Sequence, residues 1–124
     1  MKFSGSRSLT VVSVAVAAVV LAACGKKEVV STELVVKIGH VGPVSGAIAH
    51  LGKDNENGAR MAIEELNAAG LKIGDKTAKF ELLAEDDAAD PKQGTAAAQK
   101  LVDAKVNGVI GHLNSGTTIP ASQL

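Results

Sequence analysis

The sequence predicts an open, mostly parallel, doubly wound α/β sheet. Two observations carry that prediction. Three short stretches rich in aliphatic and β-branched residues, Leu34 to Val41, Ala78 to Ala84 and Val106 to Gly111, alternate with segments whose apolar residues recur at helical spacing. Strands that alternate with helices pair in parallel through right-handed crossovers. In such sheets ligands sit beyond the carboxyl ends of the strands. That edge gathers the loops 42 to 52, 85 to 90 and 112 to 117, where the residues with chemistry to offer are concentrated.

At 124 residues the chain can form one small domain. Lys2 and Arg7 precede an apolar run from Val11 to Ala23 that is short for a bilayer span and has the pattern of an export signal. The run ends Leu21-Ala22-Ala23-Cys24-Gly25, which resembles the lipobox of bacterial lipoproteins and implies cleavage before Cys24 and acylation of its sulfur. As the single cysteine, Cys24 forms no internal disulfide. The expected organisation is a signal peptide over 1–23, a charged, aperiodic tether over 24–33 and a folded region over 34–124. Loss of Lys2 and Arg7 leaves 11 basic against 13 acidic side chains, with Phe80 the one aromatic. That balance argues against nucleic acid, which needs a basic track and stacking platforms.

The first strand, Leu34 to Val41, is nearly continuous in apolar character, as suits a strand covered on both faces. Gly42-Pro43-Val44-Ser45-Gly46 ends it, and a loop to Gly52 is expected before Asp54 or Asn55 caps a helix. Ala59, Ala62, Ile63, Leu66 and Ala69 form that helix's inner face, Arg60, Glu64 and Asn67 its outer one, and Gly70 ends it. Gly74-Asp75 turns into the second strand, which ends in Glu85-Asp86-Asp87. Asp90-Pro91-Lys92-Gln93 starts the next helix: a capping Asp, a Pro at the first position and a Gln placed to reach back. Its inner face is Gly94, Ala97, Ala98, Leu101 and Val102. Val106 to Gly111 supplies the third strand, unless Asn107-Gly108 turns and shortens it. A last helix is expected near Thr117-Thr118, with Pro120 in its first turn.

Ser115 stands before that helix, and two readings apply. Its hydroxyl and the free N–H groups could hold an anion such as a carboxylate, or the serine could simply cap the helix. Other chemistry fits less well. Gly39, Gly42 and Gly46 do not make a dinucleotide fingerprint, and Gly46 to Asp54 misses the P-loop spacing and its Ser or Thr. Leu113 and Thr117 stand where a nucleophile elbow around Ser115 requires glycine. His40 and His112 with Asp86 or Asp87 could supply metal ligands; the plainer reading has the histidines bonding loop carbonyls and the acids solvated. No cofactor is expected. His50 and Leu51 fall in the expected first loop, where an apolar side chain either covers the core or meets a ligand.

From Val36-Lys37-Ile38 to Gly46, and through Asn57-Gly58-Ala59 to Gly70, Asp86 to Gln93, Val109 to Ser115 and Pro120-Ala121-Ser122, the chain resembles the type I periplasmic binding proteins. Within them it is similar to the leucine/isoleucine/valine receptors of branched-chain amino-acid ABC transporters. The resemblance implies that Ser115 bonds the ligand's α-carboxylate, that Leu113 and Asn114 line the pocket, and that Leu51 forms a wall for the ligand's side chain. Some members join the positions of Ala89 and Asn114 by a disulfide; this chain has neither cysteine and a more polar wall at Asn114. The implied function is capture of a small amino acid between two lobes outside the cytoplasm and delivery to a permease, without covalent chemistry. Small amides are alternative ligands, and a sensory receptor of the same fold is the alternative role.

On the same resemblance, the ammonium-binding residues and the second wall of the cleft lie beyond Leu124. The expectation is therefore an incomplete first lobe, with residues 24–124 alone folding poorly and showing no leucine binding.

Overall fold

The computed structural model describes residues 32–124. The export signal, Cys24 and most of the tether lie outside the described residues. The elements are β1 (Glu33–Gly42), α1 (Ala49–Ala69), β2 (Lys72–Ile73), β3 (Lys76–Asp86), α2 (Pro91–Asp103), β4 (Gly108–Ile110) and α3 (Ser115–Ala121). They build a four-stranded sheet of order β2-β3-β1-β4. β1 runs parallel to both β3 and β4, while β2 pairs antiparallel with β3. The first crossover leaves β1 toward β3 and the second passes back over β1 to β4. The winding therefore reverses at β1, and the crevice of such a sheet opens beyond the carboxyl ends of β1 and β4.

Alternation along β1 assigns the helices to opposite faces. Gly39 lies against α2, where a β-carbon would stand 2.6 Å from Leu101 Cδ1. The next residue, His40, meets α1 through Asn55 Oδ1, 3.1 Å from its Nε2. Val41 returns to the α2 side and forms the core with Ala97 and Leu101, with Leu83 and Val106 packed around them. Small residues at 39 and 97 let α2 lie close to the sheet, and Gly94 lets it lie close to His112 and to Thr117 of α3. At the sheet's edge Val109 and Ile110 of β4 are exposed.

Several boundaries depart from the sequence reading. The two-residue β2 was not expected; it forms because Gly74-Asp75 turns the chain tightly enough to pair Lys72 with Thr77. β4 is the shorter of the two alternatives. Asn107 continues its ladder by donating its N–H to Lys37 O (2.7 Å) and accepting from Lys37 N through its side chain (2.9 Å). Asn67 is not an idle outer-face residue: it donates to Phe80 O (2.9 Å) and accepts from Phe80 N (2.8 Å), bonding the main chain of β3. Gly70 ends α1 in the left-handed region at φ 61°, as expected.

α1 begins at Ala49, so His50, Leu51 and Gly52 are helical, and Asp54 and Asn55 are interior residues rather than caps. Ile48 occupies the N-cap without any side-chain bond. Packing replaces capping here: Gly52 presses against the Pro43 main chain, leaving no room for a β-carbon, and Asn55 bonds His40. α2 starts as expected, with Asp90 Oδ1 accepting from Lys92 N (3.0 Å) and Gln93 N (2.9 Å). Gln93 does not reach back, because the Asp90 N–H already donates to Asp87 O at 2.8 Å. α3 starts at Ser115, earlier than expected, and Pro120 lies inside it. The early start follows from Asn114 O, which accepts from the N–H groups and hydroxyls of Thr117 and Thr118.

Candidate functional site

Three connections meet at the carboxyl edge of the sheet: residues 43–48 after β1, 87–90 after β3, and 111–114 after β4. The tandem acids at the end of β3 organise them. Asp86 Oδ1 accepts from Val44 N (2.9 Å) and Ser45 N (3.3 Å) in the first connection and from Ala88 N (2.8 Å) in its own. Burial works to raise the Asp86 pKa, but the Ser45 hydroxyl and the N–H groups of Ala88, Val44 and Ser45 outweigh it and hold the carboxyl below its ordinary value.

Asp87 serves the other side. It is fully buried, accepts from Ala89 N through Oδ1 (2.9 Å), and receives the His112 Nδ1–H on Oδ2 at 2.7 Å. Ala88 and Ala89 both take positive φ, 48° and 58°. That conformation is costly for an L-residue, and each is held by one of the acids. His112 has only 5% of its side chain exposed and lies between α2 and α3, where a β-carbon on Gly94 would come within 3.3 Å of its Cε1. Its Nε2 is buried without a partner among the described residues.

The metal reading does not fit this geometry. His40 is bonded to α1 and His112 to Asp87 beside α2, so the two histidines serve opposite faces. Among the described residues no group of three or more His, Cys, Asp or Glu could hold a metal ion. The plainer reading also needs correction: Asp87 is not solvated, and His40 bonds a side-chain amide rather than a loop carbonyl.

Ser115 is the first residue of α3, and Asn114 holds the N-cap position. Ser115 is exposed, and its hydroxyl makes no hydrogen bond among the described residues, so it does not cap the helix. Asn114 keeps its side-chain oxygen buried and unpartnered. Leu113 is 41% exposed, and Leu51, in the first turn of α1 rather than in a loop, is 47% exposed. The fold thus brings an unused hydroxyl and two exposed leucine side chains to the same edge. The sequence reading passed over the bonding roles of Asp86 and Asp87; the adjacency of two acids at a strand end was the available signal.

The family model for periplasmic binding proteins matches residues 35–124. A leucine-specific-binding protein of Salmonella typhimurium is 46% identical over 89 residues, covering 72% of this chain and 23% of its own length. A branched-chain amino acid transporter substrate-binding protein of Streptococcus pneumoniae, solved with isoleucine, superposes with a TM-score of 0.64 at 32% identity, covering 71% of this chain and 25% of that one. A solute-binding protein of Rhodopseudomonas palustris, solved with 3,4-dihydroxy benzoic acid, gives a TM-score of 0.60 at 30% identity, over 72% of this chain and 23% of that one. The chain therefore spans about a quarter of the length of the relatives it matches.

Proposed function

The chain belongs to the periplasmic binding protein family, and on that premise we propose that residues 34–124 form the first part of the ligand-binding lobe of an ABC importer's solute receptor. Its ligand is a branched-chain amino acid, leucine, isoleucine or valine. The observation that carries this reading is the exposed, unbonded hydroxyl of Ser115 at the carboxyl edge, where the exposed Leu113 and Leu51 also lie. In this role Ser115 donates to the ligand's α-carboxylate, a charge-assisted bond worth more than a neutral one. Leu51 and Leu113 cover an aliphatic side chain, and Asn114 forms the polar part of the wall. No bond is made or broken; the receptor works outside the cytoplasm and hands its ligand to a membrane permease.

The solved relatives named above hold isoleucine in one case and a dihydroxybenzoate in another, and both ligands are carboxylates. The part that differs is what the carboxylate is attached to. Calorimetry of the full-length protein against leucine, isoleucine, valine and 3,4-dihydroxybenzoate separates them. The proposal expects the three amino acids to bind and the aromatic acid to fail; binding of the aromatic acid alone would overturn it.

The same proposal has Cys24 as the acylated N-terminus of the mature protein. Mass spectrometry of membrane-extracted protein should find diacylglycerol on its sulfur, and a mature protein with unmodified Cys24 from a lipoprotein-processing host would contradict it.

A further inference from the structure

We propose that Asp86, Asp87 and His112 are positioning residues for ligand capture, fixing the first and third connections of the carboxyl edge to the end of β3. The proposal rests on the reading of Ser115 given above. Asp86 is the last residue of β3 and Asp87 the first of the connection after it, and the two bond in different directions. Asp86 collects the N–H groups of Val44 and Ser45 at 2.9 and 3.3 Å, so the connection into α1, which carries Leu51, is tied to β3. Asp87 takes His112 at 2.7 Å, so the connection that carries Leu113 and Asn114 and leads into Ser115 is tied to the same point.

The His112–Asp87 bond is the one to which the third connection owes its placement. Asp87 is fully buried and His112 nearly so, and a buried acceptor stripped of its donor is left at a substantial cost. Only Leu113 and Asn114 separate His112 from Ser115. From its other end His112 is braced by α2 at Gly94, and its carbonyl receives the Thr118 hydroxyl at 3.4 Å. Removing the imidazole frees the connection at its start, while Asn114 O keeps its four bonds to α3. The predicted result is a helix that still forms but presents Ser115 in the wrong place. Affinity falls because a site that must be ordered on binding gives up part of its interaction energy.

The test uses the full-length protein and L-leucine as the probe, with dissociation constants from calorimetry and Tm from thermal unfolding. His112→Ala should raise Kd about tenfold, ~1.4 kcal/mol, at a temperature where the variant is fully folded. His112→Asn places a side-chain N–H2 near the former Nδ1 and should restore most of the affinity. Asn67→Ala, which cuts two bonds from α1 to β3 at the other end of the helix, should lower Tm and leave Kd unchanged. A folded His112→Ala with the wild-type Kd overturns the proposal, as does an Asn variant no better than Ala.

Should His112→Ala fail to fold, Asp86→Ala carries the test: weakened binding by folded protein supports the proposal and the wild-type Kd overturns it. Ser115→Ala separates the two readings. If it binds leucine normally while His112→Ala does not, Ser115 loses its carboxylate role, and what His112 positions for the ligand is Leu113 and Asn114 of the same connection. Absence of leucine binding by the wild-type protein defeats both.

Discussion

Gly52 of α1 packs backbone to backbone against Pro43, with no space between them for a β-carbon. This contact sets where α1 begins and so where Leu51 stands. Gly52→Ala must push the first turn of α1 off the end of β1, since the atoms it meets are main chain and cannot rotate away. The expected cost is about 1–3 kcal/mol, the range for overpacking a tight site. Thermal unfolding of the full-length protein reads it, and an unchanged Tm would show that α1 is free to shift.

Asp90→Ala should destabilise by about 1 kcal/mol, the usual cost of removing an N-cap side chain. Its carboxylate accepts two N–H groups of the first turn of α2. Gln93→Ala should cost far less, because the N–H that a capping-box glutamine would seek is already bonded to Asp87 O. Equal losses in denaturant unfolding would contradict this division of labour.

Asp86 makes stability depend on acid. Its pKa is lowered in the folded state, so the stability it contributes is fully present above the unfolded value, about 3.9, and is lost as pH falls through the lowered folded value. The Tm difference between wild type and Asp86→Ala should therefore be constant near neutrality and shrink below about pH 4. A difference that widens in acid would show that the carboxyl is not held ionised by Ser45, Ala88 and Val44.

The elements with local signals were legible in the sequence. α2 announces itself through Asp90 and Pro91, β1 through its apolar run, and the end of α1 through Gly70. The early start of α1 was hidden because Ile48 carries no capping side chain and the turn is held by Gly52 on Pro43, a tertiary contact. α3 was displaced for a related reason: Asn114 nucleates it through its carbonyl, which any residue possesses. β2 is two residues long, too short for any periodicity. At the site, the position of Ser115 could be read from the strand, turn and helix pattern. The His112–Asp87 bond joins residues 25 apart, so nothing local pairs them.

The central claim is that the Ser115 hydroxyl is kept for the ligand. Calorimetric titration of L-leucine into full-length wild-type and Ser115→Ala protein tests it most directly. The account predicts binding weakened by about 1–3 kcal/mol with Tm in the absence of leucine unchanged, because the hydroxyl makes no hydrogen bond among the described residues. Equal affinities for leucine in the two proteins, with equal stability, would contradict it.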